Sequence, residues 1–120
     1  MKKPTIVCLC GSTRFYQTFH DMNVKLTLAG KIVLSIACDT KDDRDLFNKI
    51  PKEEIVKIRE TLDELHLRKI DLADEVLILN VGGYIGESTS KELAYAKQLG
   101  KKVTYLEPAP TVSVAPEEGE

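Results

Sequence analysis

Residues 74–106 read DEVLILNVGGYIGESTSKELAYAKQLGKKVTYL, which is an apolar run, a glycine-rich loop, a helical pattern and a second apolar run in succession. The first run is nearly uninterrupted, as is typical of a strand that is buried on both faces of a parallel sheet. Leu93, Ala96 and Leu99 then recur at helical spacing, and Gly100 follows where helices commonly end. This strand-helix-strand unit predicts an α/β fold.

The remainder of the chain continues the alternation. Apolar runs at 5–10 and 31–37 predict two further strands, and helical periodicity at 14–29 and 51–73 predicts two further helices. The second of these helices is the longest, and Pro51 suits its first turn. We therefore predict a three-layer, doubly wound α/β fold (flavodoxin- or Rossmann-like), with a four-stranded parallel sheet and about three helices.

Length and composition are those of one ordinary domain. The chain has 120 residues, 42% of them hydrophobic, which is enough to form a packed core. We assign residues 1–107 to a single domain. Residues 108–120 contain three prolines and end in acidic residues, and we expect them to form a flexible C-terminal tail.

The charge balance excludes some classes of partner. Lys and Arg number 17 and Asp and Glu number 19, so the net charge is -2 and no broad positive field is present. No apolar run reaches the ~18 residues of a transmembrane helix, and the start lacks the pattern of a signal peptide. We expect a cytoplasmic protein that binds neither a nucleic acid polymer nor a membrane.

The three cysteines, Cys8, Cys10 and Cys38, match neither a CxxC redox motif nor a paired zinc-ligand pattern. The two histidines, His20 and His66, are far from them in the sequence. Cys8 and Cys10 are two apart in a predicted strand, so both point to one face, where small thiols pack well. We expect packing thiols, no metal site and no cofactor.

The loop after the first strand is a candidate anion-binding site. Gly11, Ser12, Thr13 and Arg14 open the first helix, where free backbone N–H groups, two hydroxyls and a guanidinium come together. Helix capping by Ser12 or Thr13 is the alternative interpretation. Arg14 opposes the helix dipole in the first turn and therefore needs a different reason for its position.

The glycine-rich loop and the helix that follows it give the strongest functional signal. Glycines allow the backbone to approach a ligand closely, and Ser88, Thr89 and Glu92 gather at the predicted helix start. Two interpretations of Glu92 stay open, namely catalysis in the crevice at the strand ends and a capping box formed with Thr89.

These motifs resemble those of the nucleoside 2-deoxyribosyltransferase superfamily, including its branch of 2′-deoxynucleoside 5′-phosphate N-hydrolases. The similar segments, within residues 4–106, are GSTR at 11–14, Ala73-Asp74 opening a strand, and STSKELAYA at 88–96 followed by LGK at 99–101. The loop around Gly83 also resembles loosely the PGGxGTxxE motif of cytokinin-activating nucleotide phosphoribohydrolases. The resemblance implies that Glu92 is the nucleophile that attacks the anomeric carbon and that the first loop holds the sugar or its 5′-phosphate.

The chain departs from that family at two positions. His66 stands where the family usually has an Asp that helps to handle the leaving base, and Ala94 stands where Gly is common. A histidine can donate a proton near neutral pH, so His66 can retain this role in altered form. Loss of the chemistry is one alternative, and a plain position on the helix surface beside Asp63 is another.

The sequence therefore predicts cleavage or transfer at the N-glycosidic bond of a (deoxy)nucleoside or nucleoside 5′-monophosphate. The candidate catalytic residues are Glu92 and His66, and the candidate binding residues are Gly11, Ser12, Thr13, Arg14, Tyr16, Gly83, Tyr84, Ser88 and Thr89. Tyr16 and Tyr84 are placed to stack on a base, whereas Phe15 belongs to an apolar stripe that favours a core position. A non-catalytic nucleotide-binding or sensing module of the same fold is the alternative function.

The predicted long helix has more apolar surface than one small sheet can cover. Ile55, Ile58, Leu62 and Leu65 form a stripe, and Val56 and Leu67 lie off it. We therefore expect a homodimer or a higher homo-oligomer, which the family resemblance also implies.

Overall fold

The structure is a computed structural model that describes residues 2–36 and 50–108. Its elements in chain order are β1 (Ile6–Cys10), α1 (Tyr16–Leu28), β2 (Ile32–Leu34), α2 (Lys52–Leu72), β3 (Glu75–Ile78), α3 (Glu87–Gln98) and β4 (Lys102–Tyr105). Single 3-10 turns at Thr13–Phe15 and Val81–Gly83 precede α1 and α3. Cys38 and nearly all of the predicted tail lie outside the described residues.

The strands form one parallel sheet in the order β2-β1-β3-β4. Strands β1 and β3 are central, and Cys8 pairs with Leu34 of β2 on one side and with Val76 of β3 on the other. Their apolar runs are buried, as Leu9 and Ile78 are both 0% exposed. The prediction of a four-stranded parallel sheet is confirmed.

Helices cover both faces of the sheet, because alternating strand residues point to opposite sides. On one face, Phe19 of α1 packs in a cluster with Leu9. On the other face, Ile70 of α2 and Ala96 of α3 pack in a cluster with Cys10. The three layers are those of the predicted doubly wound fold.

The predicted element boundaries are close to the observed ones, with small differences. Pro51 is the residue before α2 rather than its first helical residue, and α1 begins after a 3-10 turn rather than at Arg14. The second strand ends at Leu34 and is shorter than the predicted run at 31–37. None of the helices in 2–36 and 50–108 is both long and apolar enough to cross a membrane.

The strand order reverses between β1 and β3, since β1 continues through α1 toward β2 and β3 continues through α3 toward β4. In doubly wound folds, ligands bind outside the carboxyl ends of the strands at this reversal. Gly11 allows the two strand ends to approach, because a Cβ at this position would lie 3.1 Å from the Leu79 Cβ and 3.3 Å from the Leu79 carbonyl oxygen. The absence of a side chain at position 11 therefore allows the first loop to pack against the residue that follows β3.

Candidate functional site

A cavity of about 530 Å³ lies at the strand reversal, between the loop after β1, one face of α2 and the start of α3. Eight of the predicted site residues line it, namely Gly11, Ser12, Thr13, His66, Tyr84, Ser88, Thr89 and Glu92. Arg14, Tyr16 and Gly83 are not among its lining residues. The structure thus brings most of the predicted site together in one place.

The loop after β1 forms a capped 3-10 turn at the cavity wall. The Ser12 hydroxyl accepts a hydrogen bond from the Arg14 backbone N–H at 3.3 Å, so Ser12 is the cap of the turn. Gly11, Ser12 and Thr13 nevertheless line the cavity. The capping interpretation therefore holds for Ser12, and it does not exclude contact of the loop with a ligand.

Arg14 and Tyr84 meet beside the cavity. The Arg14 guanidinium carbon lies 4.5 Å from the centroid of the Tyr84 ring, and its Nη2 donates to the Tyr84 hydroxyl at 3.4 Å. Phe15 meets the same ring edge-on, at 6.0 Å between centroids. Phe15 is half-buried in this contact, so the prediction of a core position is wrong. Instead it packs against Tyr84, which lines the cavity.

The glycine-rich loop places Tyr84 through a tight backbone turn. Gly82 and Gly83 have φ values of 64° and 83°, a region that side-chain-bearing residues rarely adopt. The Gly82 N–H donates to the Glu107 carboxylate at 2.8 Å, which ties the loop to the end of β4. Gly83 therefore allows the tight turn of the loop, and Tyr84 is the residue after this turn that lines the cavity.

The start of α3 tests the capping-box interpretation of Glu92. Helix α3 begins at Glu87 with Gly86 as its cap residue, so Thr89 lies inside the first turn and Glu92 lies in the second. A capping box requires the Ser or Thr to be the cap residue itself. The capping-box interpretation is therefore wrong, and Glu92 lies one turn beyond the helix start at which it was expected.

Glu92 lines the cavity instead. Its side chain is 15% exposed, and its Oε1 lies 3.8 Å from Nε2 of His66. Burial raises the pKa of the Glu92 carboxyl above its ordinary value, although the charge of His66 opposes this effect. A largely buried carboxylate beside an imidazole is an arrangement that active sites commonly use.

His66 is buried, with 4% of its side chain exposed, so the interpretation as a helix-surface residue is wrong. The buried residues of α2 are His66 and Ile70, one turn apart on the face toward the sheet. Burial alone would lower the pKa of His66, but the hydrogen bond with Cys8 and the charge of Glu92 outweigh it and raise the pKa. Nδ1 has no hydrogen-bond partner among the described residues.

Cys8 and Cys10 pack in the core on one face of β1, as predicted. They also contact His66, because Nε2 lies 3.7 Å from Sγ of Cys8 and 3.4 Å from Sγ of Cys10. The hydrogen bond with Cys10 lowers the pKa of Cys8, and the same bond together with burial raises the pKa of Cys10. His66 is far from the cysteines in the sequence, but it lies beside them in the structure because α2 packs across β1.

Three charged residues of α2 that were not predicted as site residues also line the cavity, namely Arg59, Asp63 and Lys69. They share a helix face with His66, from which they are seven, three and three residues away. Lys69 donates to the carbonyl oxygen of Ser35, the residue before the cavity-lining Ile36. Helical spacing around His66 was the signal that could have found them.

No protein-family model matches the chain, and the search of curated proteins also gives no match. The resemblance to the deoxyribosyltransferase superfamily is therefore carried by the motifs in the sequence alone.

Proposed function

We propose that this protein cleaves the N-glycosidic bond of a nucleoside or a nucleoside 5′-monophosphate, with Glu92 as the nucleophile. One observation carries the proposal: the largely buried Glu92 carboxylate lies 3.8 Å from the imidazole of His66 at the floor of a cavity. A carboxylate and an acid side by side are the two groups that displacement at an anomeric carbon needs.

The reaction proceeds in two steps. The Glu92 carboxylate attacks the anomeric carbon, the bond to the base breaks, and a protonated His66 gives its proton to the departing nitrogen. A water molecule then attacks the anomeric carbon of the glycosyl ester, the bond from that carbon to the Glu92 oxygen breaks, and the neutral imidazole accepts a proton from the water. The second step restores both residues, and a second base in place of water gives transfer rather than hydrolysis.

The surroundings of the two catalytic candidates suit a nucleotide. The loop formed by Gly11, Ser12 and Thr13 offers backbone N–H groups and hydroxyls to a phosphate, and Arg14 adds a positive charge next to it. The Tyr84 ring lines the same cavity and provides a face on which a base can stack. Ser88 and Thr89 complete the wall at the start of α3.

The experiment is incubation of the purified protein with nucleosides and their 5′-monophosphates, followed by chromatography for free base. Rapid quenching and intact-mass measurement should then show one covalently bound sugar or sugar phosphate per chain, on the peptide that contains Glu92. Calorimetric binding of a nucleotide without base release would instead favour a non-catalytic binding or sensing module. Absence of both binding and release would overturn the proposal.

We also propose that the protein is a cytoplasmic homo-oligomer that associates through α2. Val56 and Leu72 of this helix are apolar side chains that are 61% and 67% exposed in one chain and that association of two copies can cover. Leu67, by contrast, packs against the core and does not contribute to this surface. Cys8 and Cys10 are both free thiols, which suits a reducing compartment.

A further inference from the structure

Three side chains of the types that zinc prefers converge beneath the cavity floor. Cys8 and Cys10 project from the same face of β1, His66 reaches them from α2, and their ligand atoms all lie within 4.8 Å of one another. We propose that these three residues bind a zinc ion and that Glu92 closes the site as the fourth ligand.

The distances from His66 to the two sulfurs agree with a tetrahedral site. Bonds of ~2.3 Å for Zn–S and ~2.0 Å for Zn–N place a sulfur and a nitrogen ~3.5 Å apart in a tetrahedron. The observed distances from His66 Nε2 are 3.7 Å to Cys8 Sγ and 3.4 Å to Cys10 Sγ. Binding of a zinc ion therefore requires these two nitrogen–sulfur distances to change by only a few tenths of an ångström.

Glu92 lies close enough to His66 to be the fourth ligand. A tetrahedral zinc places a ligand nitrogen and a ligand oxygen ~3.3 Å apart, and Glu92 Oε1 lies 3.8 Å from His66 Nε2. The two thiols are 0% exposed, so bulk water does not compete for the metal at that end of the site. The cavity lined by His66 and Glu92 supplies a path of entry.

The spacing of the cysteines did not predict this metal site, and the reason is geometric. Zinc ligands supplied by turns are spaced as CxxC, whereas residues two apart on a strand present their side chains on the same face. Cys8-Leu9-Cys10 is the strand form of a two-sulfur chelate. Zinc binds two thiolates, one carboxylate and a neutral imidazole, so the protons carried by the thiols and by Nε2 of His66 pass to the solvent.

One consequence concerns catalysis, and it rests on the proposed function. A carboxylate that is bound to zinc shares its negative charge with the metal and is a much weaker nucleophile toward an anomeric carbon. The zinc-bound protein is therefore the inactive form, and the metal-free protein is the active form. Zinc acts on this site as a reversible inhibitor that engages both catalytic candidates.

Titration with Co²⁺ tests the metal site without reference to activity. The full chain, reduced and freed of metal with a chelator, should develop a near-ultraviolet thiolate-to-cobalt band and the visible bands of tetrahedral Co²⁺. Equimolar Zn²⁺ should abolish both sets of bands, and native mass spectrometry should find one zinc per chain. Absence of the thiolate-to-cobalt band in the unmodified protein would overturn the proposal.

Variants locate the ligands. Cys8→Ser and Cys10→Ser should each weaken or abolish the thiolate-to-cobalt band, with circular dichroism as the check on folding. Cys38→Ser removes the remaining thiol of the chain and is the matched control, which should retain the band. Loss of the band in Cys38→Ser, or its retention in both other variants, would show that the metal binds elsewhere.

Base release in the presence of zinc tests the consequence separately. We expect added Zn²⁺ to suppress release and a chelator to restore it. If the cobalt bands appear but no nucleotide is ever cleaved, the metal site stands and the proposed function fails. If zinc binds and release continues unchanged, Glu92 is not the fourth ligand and the inhibitory role is wrong.

Discussion

The side-chain amide of Asn80 is hydrogen-bonded to both backbone groups of Glu107. Its Nδ2 donates to the Glu107 carbonyl oxygen at 3.1 Å, and its Oδ1 accepts from the Glu107 N–H at 3.0 Å. Asn80 follows β3 and Glu107 follows β4, so this amide continues the pairing of the two strands beyond their last paired residues. Because the Glu107 carboxylate accepts from Gly82, the contact also fixes the loop that carries Tyr84.

Asn80→Ala should therefore destabilise the protein by about 1–3 kcal/mol. The substitution leaves two partly buried backbone groups of Glu107 without partners, and such groups are costly when unsatisfied. Urea unfolding followed by circular dichroism measures the change. Asn23→Ala, on the exposed side of α1, is the control and should change stability by less than ~0.5 kcal/mol. Equal effects of the two substitutions would show that the Asn80 bridge contributes little.

Arg14→Ala tests the anion site. If the first loop holds a phosphate, the parent protein should bind nucleoside monophosphates more tightly than the matching nucleosides. Removing the guanidinium should weaken the binding of monophosphates roughly ten- to hundredfold and leave the binding of nucleosides nearly unchanged. Isothermal titration calorimetry gives both affinities.

Arg68→Ala is the matched control for Arg14→Ala. Arg68 lies on α2 and is paired with Glu64 and Asp71, at 3.4 Å and 3.3 Å, and it does not line the cavity. Its loss should leave both affinities unchanged. Equal affinity of the parent protein for nucleoside and monophosphate would reject the phosphate role of the loop and leave a sugar-binding role open.

Leu72→Lys tests assembly through α2. Leu72 is 67% exposed at the end of that helix, and a charge that becomes buried in an apolar contact between two copies is unfavourable. We expect the parent protein to be at least a dimer by light scattering at high micromolar concentration and the variant to dissociate. Leu28→Lys is the control, because Leu28 ends α1 on the opposite face of the sheet and is 83% exposed. A monodisperse monomer for the parent would contradict the prediction.

The sheet was predictable because its central strands carry their own signal. Strands β1 and β3 are continuous apolar runs, and only burial on both faces explains such runs in a chain of ordinary composition. Each of these apolar runs ends at a loop that begins within a few residues of a glycine, so the positions of the strand ends could also be predicted. Fold class and the approximate position of the site therefore follow from local patterns alone.

The orientation of α2 was not predictable in this way. Its apolar stripe includes Leu62 and Leu65, which are 37% and 46% exposed and line the cavity, whereas the polar His66 faces the sheet. Hydrophobic periodicity assumes that a helix packs on the core along its whole length, but the buried residues of α2 are both in its second half. The contact of His66 with Cys8 is a product of this packing, and no local pattern encodes it.

Glu92→Gln decides whether Glu92 performs chemistry. The amide keeps the shape of the side chain, and the helix start at Glu87 shows that no cap depends on residue 92. We therefore expect a change in the free energy of unfolding within ~1 kcal/mol and an unchanged affinity for nucleotides. The amide cannot form a glycosyl ester, so the rate of base release should fall by several orders of magnitude.

A selective loss of kcat at constant ligand affinity is the mark of an interaction that is made chiefly in the transition state. Glu87→Gln is the matched control, since Glu87 lines the same cavity from the same helix but is exposed and lies 3.9 Å from Lys91. This control should release base at nearly the parental rate. If the parent protein cleaves a nucleotide and Glu92→Gln cleaves it as fast, then Glu92 is not the nucleophile. The role that the family resemblance implies for it would then be wrong.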